Sequence, residues 1–474
     1  MSRRALLTLV AVSGSALMIG MDFNGVAAVV TSIENDFGTD LSTTQWVLNL
    51  YALTFGIGIV PGGKIADLFG RRRVFAIGLV VFGVASLACG LAPNMLFLIV
   101  WRGVQGIGGA LLWPTIVGIA YNAVPPEKSS FAMGITIGSA GFGNVLGPLL
   151  GGVFAEFVTW RLLLLVNVAI CIVVGVMVAR VVERDPGVGE RPRLDYVGIS
   201  LLSLGLFAAL YALDVGADWG WTSVGVLGLF AAFVVLIAGF VIWERRAPEP
   251  LVPPHLLRDG RFVAALLANG LLMPLWFGGF LYLPQYQLKT LGFSAFLAGA
   301  GMLPLMVTFA ALSPVAGRVY VYVGPRVLIV AGYVALTASA VSFAVVQVDW
   351  GYLGLVPGMV LLGIGAAAAI SASGTAAVAS VDASQSSMAG GLSFMVHLVM
   401  GAMGVAIATA LLISASGGSS AADDFAAGFR AVMWFAAAVA ALGILNSFFI
   451  VKEDMTLARG SSEAAAETAA EFSD

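Results

Sequence analysis

The stretch from Met95 to Tyr121 carries one charged side chain, Arg102, and is long enough to cross a bilayer, which takes about 20 apolar residues as a helix. Inside hydrocarbon no water satisfies the backbone amides, so such a stretch must be helical or part of a closed barrel. Runs of this length recur between charged or Gly/Pro-rich breaks. They predict 14 spans, near 5–30, 45–66, 74–91, 95–122, 129–155, 161–182, 194–214, 222–243, 261–288, 294–316, 325–346, 352–378, 386–414 and 425–450. The expected fold is all-α and polytopic. Charged residues make up 10% of the chain, against about a quarter in water-soluble domains. Most of the surface therefore faces lipid.

Basic residues test the span count independently, because they collect on the cytoplasmic side and an error of one span would exchange the sides of every later loop. With the N-terminus inside, the outer segments hold only Arg161, Lys289 and Arg430, Arg102 lies within a span, and the rest of the 23 basic residues fall inside. Both termini are then cytoplasmic in a multi-pass cell-membrane protein, with a bacterial cytoplasmic membrane as the expected setting. The first run, Ala5 to Val30, is too long for a signal-peptide core and contains Asp22, so it reads as a retained span.

Several function classes are excluded early. A net charge of −3 with no basic–aromatic patch gives nucleic acid nothing to hold. Cys89 and Cys171 both lie in apolar runs, and His255 and His397 belong to no metal-spaced motif, so no metal or other cofactor is expected. Paired acids, a nucleophile with its base, or a metal set are not evident, and the chain does not read as an enzyme.

The membrane interior holds one acid and one base, Asp22 and Arg102. A full charge at that depth costs at least about 2.5–3.5 kcal/mol, and such residues usually serve function. Gln105 lies one turn beyond Arg102, and Gly106, Gly108 and Gly109 allow a neighbouring backbone to approach. Desolvation favours the neutral form of an acid and a nearby guanidinium favours the charged form, so a close pair could load and release a proton. Two readings of each residue stay open: Asp22 as proton site or as structural hydrogen-bond partner of Asn24, Arg102 as its tuning partner or as a brace between helices.

Two long charged loops, Glu183 to Asp195 and Glu244 to Arg261, bracket the seventh and eighth spans. The chain accordingly divides into an N-terminal six-helix bundle (1–183), an inserted helix pair with its loops (184–258), a C-terminal six-helix bundle (259–454) and a polar cytoplasmic tail (455–474). GGKIADLFGRRRV after the second span returns in outline as AGRVYVYVGPRV after the tenth. Duplicated halves are a common way to build a transporter.

Four motifs resemble the major facilitator superfamily, and within it the 14-span drug:proton antiporters. They are Gly63 to Arg72 (GKIADLFGRR), Leu98 to Ala110 (LIVWRGVQGIGGA), Gly143 to Gly152 (GNVLGPLLGG) and the placement of Asp22 in the first span. The likeness covers nearly the whole chain. Two departures stand out: Leu68 follows Asp67 where the family usually has a basic residue, and NGVAAVVT follows Phe23 where it usually has Thr, Asn and Pro.

The resemblance implies proton-coupled export of lipophilic, cationic or neutral compounds by alternating access, with the proton gradient as the only energy source and the protein acting as a monomer among membrane lipids. Proton coupling would rest on Asp22 and Arg102. The candidate cavity set is Asn24, Trp46, Asn49, Gln105, Trp113, Asn144, Trp276, Tyr282, Gln285, Tyr286 and His397. Trp276 and Tyr282 could equally belong to an interfacial aromatic belt. The candidate gating set is Gly63, Asp67, Gly70, Arg71 and Arg72 in the loop, and Gly143, Gly147, Pro148 and Gly151 in the fifth span, whose glycine stripe is expected to let the two bundles close on each other. Movement of an endogenous metabolite, lipid or sugar, or a non-transporting sensor, are the alternative readings.

Overall fold

The computed structural model describes residues 2–39, 41–182, 194–248, 250–416 and 422–450. The expected tail, most of the first long charged loop, and the basic residues Arg184, Arg191, Arg193, Lys452 and Arg459 lie outside the described residues. Among those described there is helix and no strand.

The first half comprises α1 (Arg3–Ala28), a short α2 (Val30–Phe37), α3 (Leu41–Phe69), α4 (Arg71–Gly90), α5 (Met95–Asn122), α6 (Pro126–Phe157) and α7 (Arg161–Val181). Then come α8 (Tyr196–Trp219) and α9 (Val224–Glu244), followed by α10 (Gly260–Gly270), α11 (Met273–Lys289), α12 (Ala295–Ala300), α13 (Leu303–Val345), α14 (Gly351–Ala379), α15 (Ser386–Ser416) and α16 (Ala422–Ser447). Polar caps start several of them: Ser2, Asn94, Asp195 and Ser223 each accept a hydrogen bond from a first-turn amide that the helix itself cannot satisfy.

The span pattern holds with two differences. The ninth span is two helices in succession, α10 and α11, joined just before Pro274, whose ring cannot continue the hydrogen-bond ladder. The tenth and eleventh spans join into α13, which breaks at Gly324 with φ +79° and ψ 166°. Tyr352 donates to the Gly301 carbonyl at 2.9 Å, so both far ends of α13 lie on one face and the chain reverses at Gly324. Gly70, at φ +99°, separates α3 from α4 in the same way. Both are the last glycine of the repeated loop motif, and only glycine takes this conformation without a steric penalty. The internal repeat is thus a repeat of one-residue reversals.

Gly70, Gly324 and the first turn of α1 share one side of the bundle with most of the described basic residues, hereafter the basic face. On the opposite face Arg161 pairs with Asp36 and lies 4.5 Å from the Trp160 ring. The hydrogen bond from Arg161 holds the Asp36 carboxyl below the usual carboxylate range.

The two largest hydrophobic cores among the described residues belong one to each half. One packs Leu9, Phe55, Phe75, Phe82 and Ile116. The other packs Leu305, Phe309, Phe343, Met359 and Phe429. Val378, Met388 and Leu392, from the basic-face ends of α14 and α15, join the first core, so the halves meet on that face. The pair α8–α9 leans on α3 through the Ser203 hydroxyl, which donates to Ile57, and through Trp46 against Tyr211. Most of α9, including Val224, Val234 and Val235, is exposed, as a lipid-facing helix requires. The molecule is a multi-pass membrane protein.

Candidate functional site

Asp22 and Arg102 are both fully buried and in contact. The Arg102 Nη1 donates to Asp22 Oδ2 at 2.7 Å. The other carboxylate oxygen, Oδ1, accepts from Gln105 Nε2 at 3.1 Å and from Asn167 Nδ2 at 2.7 Å. Arg102 also donates to Gln105 Oε1 and to the Val47 carbonyl, and its guanidinium lies 4.2 Å from the centre of the Tyr51 ring. Ser86 receives hydrogen bonds from Gln105 and Asn167 and donates to the Leu164 carbonyl. Side chains from α1, α3, α4, α5 and α7 therefore close one polar cage around one ion pair. A buried charge is tolerated when it is paired, and here the pairing is incomplete: Arg102 Nη2 and Asn167 Oδ1 are buried without a hydrogen-bond partner. Helical spacing puts Arg102 and Gln105 on one face of α5, and the small residues Gly106 and Gly109 let α3 approach, with ideal Cβ positions there falling against Thr54, Tyr51 and Phe55.

Sequence reasoning missed Asn167, Ser86 and Tyr51. A signal existed for the first: Asn167 is the lone amide in the apolar run 162–179. Ser86 and Tyr51 carry none, because a serine or tyrosine within a span is ordinary.

A cavity of about 180 Å3 lies between the two halves, beside the cage. Five of the expected cavity residues line it: Asn24, Trp113, Asn144, Trp276 and His397. Asn24 donates to Asn144 Oδ1 at 3.0 Å across α1 and α6. Trp276 packs against Phe280 and Phe309, with ring centres 4.9 and 4.7 Å away. Phe394 spans the halves, 5.4 Å from Phe55 and 4.6 Å from Trp113, and the His397 ring stacks on it at 5.0 Å. No charged side chain lines the cavity among the described residues. Phe23, Asn269 and Ser393, which the motifs did not single out, do.

The other expected cavity residues sit elsewhere. Gln105 is committed to the cage. Trp46 turns toward Tyr211 of α8, and Asn49 is half-buried on α3 outside the lining. Tyr282 is hydrogen-bonded to Thr409 at 2.6 Å, Gln285 accepts from Lys289, and Tyr286 packs on Phe429. These three follow the face of α11 that meets α15 and α16, which the periodicity of one helix alone could not distinguish from the cavity face.

On the basic face the loop motif ties the halves together. Asp67 accepts from Arg71 at 2.9 Å and from the backbone amide of Met388 at 2.8 Å, while Arg71 Nε donates to the Ser387 hydroxyl at 2.9 Å. Arg72 donates instead to the Ala179 carbonyl, within the first half. Gly63 approaches the Ser387 carbonyl so closely that a Cβ would lie 2.7 Å from it. Removing the shared acceptor with Asp67→Ala should open this face, and a cysteine placed at Ser386 should then react several-fold faster with a membrane-impermeant maleimide. An unchanged rate would mean the latch does not hold the halves together.

The expected role of the glycine stripe requires correction. Gly143, Gly147 and Gly151, with Pro148 beside them, face α1 of the same half: their Cβ positions would fall on Leu17, Met21 and Gly25. The glycines of α6 that do meet the other half are Gly134, Gly138 and Gly141, against Ser313, Ala310 and Phe309 of α13. One helical face carries each stripe, and the motif marks the inner one.

The fold is shared by known proteins. The human organic anion transporter MFSD10 superposes with a TM-score of 0.64 at 14% identity, covering 94% of this chain and all of that one. The tetracenomycin C resistance and export protein of Streptomyces glaucescens is 31% identical over 412 residues, 86% of this chain and 76% of its own length. The puromycin resistance protein pur8 of Streptomyces alboniger is 32% identical over 462 residues, 94% of this chain and 90% of its own. The family model described as Major Facilitator Superfamily matches residues 12–405. With that model covering the loop latch and the Asp22–Arg102 pair, the chain belongs to the Major Facilitator Superfamily.

Proposed function

We propose that this protein is a proton-coupled exporter of lipophilic compounds, neutral or cationic, working by alternating access in the cell membrane. The observation that carries the reading is the caged Asp22–Arg102 pair standing next to, but not within, an aromatic cavity. A proton taken by Asp22 removes the charge that Arg102 pairs with, and the cage spans five helices of the first half, so protonation is felt as a change in their packing. Substrate need not touch the acid to be coupled to it. Gln105 and Asn167 both donate to the same Asp22 oxygen, so loss of the carboxylate is felt by both.

Export of drug-like compounds is supported by the relatives, named for resistance to or export of tetracenomycin C and puromycin. The cavity supports it too: aromatic walls with three amide side chains, Asn24, Asn144 and Asn269, bind flat amphiphiles without demanding one fixed hydrogen-bond pattern. In this reading the bundles are 1–183 and 259–454 with 184–258 inserted between them, the basic face is cytoplasmic, both termini lie inside, and the monomer needs no cofactor beyond the proton gradient.

In inside-out vesicles, an imposed acid-inside gradient should drive accumulation of an aromatic dye, and collapsing the gradient should stop it. Trp276→Ala should raise the apparent KM about two- to tenfold, since an aromatic pair contributes about 0.5–1.5 kcal/mol beyond its area. Accumulation that persists without the gradient would overturn proton coupling, and an unchanged KM would remove Trp276 from the substrate path.

A further inference from the structure

The polar side chains that line the cavity between the halves offer more hydrogen-bond donors than acceptors. Asn24 and Asn144, on α1 and α6, share one bond, which leaves one amide oxygen and one amide NH2 uncommitted. Trp113 and Trp276, on α5 and α11, also line the cavity, and neither indole N–H has a hydrogen-bond partner among the described residues. An indole nitrogen can only donate. On α10 and α15, Asn269 donates to the Ser393 hydroxyl at 2.6 Å, while its Oδ1 is sealed in the packing without a partner. One more acceptor is thereby kept from a guest.

His397 completes the set. Its ring stacks on Phe394 with centres 5.0 Å apart and planes 12° apart, and it meets Phe277 nearly edge-on at 5.7 Å. Two aromatic neighbours thus fix the plane of the imidazole, and its nitrogens have no hydrogen-bond partner among the described residues. An imidazole offers an N–H whether neutral or protonated, and a negative charge in neither form.

A guest that fits this lining must bring acceptors. Carbonyl and ether oxygens on a flat ring do so, whereas an ammonium or iminium group brings further donors. Aromatic faces attract a cation. Yet no carboxylate stands among the described lining residues, so a cation gives up its water for groups that mostly donate and cannot replace it.

From this inventory we infer that the cavity selects uncharged planar aromatic compounds bearing carbonyl or ether oxygens over cations of the same shape, and that His397 is a specificity-determining residue that donates to such an oxygen. The inference rests on the reading of this cavity as the substrate site of an exporter and narrows its substrate class.

The test follows thermal unfolding of the purified full-length protein in detergent against Nile red and Nile blue, two dyes built on one ring system. The first carries a carbonyl and no charge; the second carries an amino group in that place and a positive charge. Nile red should stabilise the wild type at a concentration at least about tenfold below Nile blue. His397→Phe, which keeps a ring on Phe394 and removes both nitrogens, should raise the half-effective Nile red concentration about two- to tenfold, the range one net hydrogen bond gives, and leave Nile blue unmoved. His397→Gln, which can still donate, should recover most of the response. Nile blue stabilising as well as Nile red, or neither dye stabilising, would overturn the substrate class. A His397→Phe response equal to wild type, or one that weakens both dyes alike, would overturn the role of His397. The exporter reading is decided apart from these, by whether gradient-driven accumulation in vesicles stops when the gradient is collapsed.

Discussion

Asp22→Asn should reduce gradient-driven export in proteoliposomes to the level of protein-free vesicles while the protein remains folded and monodisperse. The substitution keeps shape and volume but removes the titratable group, and it sets an amide where Arg102, Gln105 and Asn167 all donate. Its structural consequence has the same origin. Removing one partner of a buried ion pair leaves the other charge uncompensated and costs about 3–5 kcal/mol. Asp22→Asn, which strands Arg102, should therefore lower the melting temperature without unfolding the protein, Arg102→Met should destabilise as strongly, and the two combined should be more stable than Arg102→Met alone, though equally inactive. Thermal unfolding of the purified variants reads the stabilities and a pH-jump assay reads coupling. Full coupling in Asp22→Asn would remove the proton from this site.

Gly143→Val should separate α1 from α6 and lose the folded protein or most of its stability. A Cβ at this position would overlap the Leu17 carbonyl oxygen and lie 2.9 Å from the Met21 amide nitrogen. Both are backbone atoms of a neighbouring helix, which cannot rotate away, so relief requires the whole helix to move. Overpacking in a core commonly costs about 1–3 kcal/mol, and here it would also disturb the Asn24–Asn144 bond on the adjoining turn. Gly152→Ala provides the internal control, because its Cβ would meet nothing within 4 Å. A melting temperature lowered by Gly143→Val and unchanged by Gly152→Ala is the expected pair of results. Equal tolerance of both would mean that α1 and α6 do not pack this closely in the membrane.

The spans were legible because a bilayer imposes length and apolarity on every crossing, and that constraint acts residue by residue along the chain. The reversal at Gly324 was legible only as half of a repeat with Gly70; the break inside the ninth span, before Pro274, was not, since an apolar run reads the same whether its helix is continuous or interrupted. Asp22 and Arg102 stood out because charge within hydrocarbon is rare. Asn167 was readable by the weaker form of the same argument, and Tyr51 was not readable at all.

What the sequence determined by itself was therefore whatever depends on solvent: the apolar spans, the gathering of the basic loops on one face, and the identity of the two fully buried charges among the described residues. What only the tertiary structure decided was whatever depends on azimuth. Helical periodicity gives the angle between side chains on one helix but not the angle of that helix to its neighbours. For that reason the contact between Asp22 and Arg102, the turning of Tyr282, Gln285 and Tyr286 away from the cavity, and the packing of Gly143, Gly147 and Gly151 on α1 became visible only once the helices were set against one another.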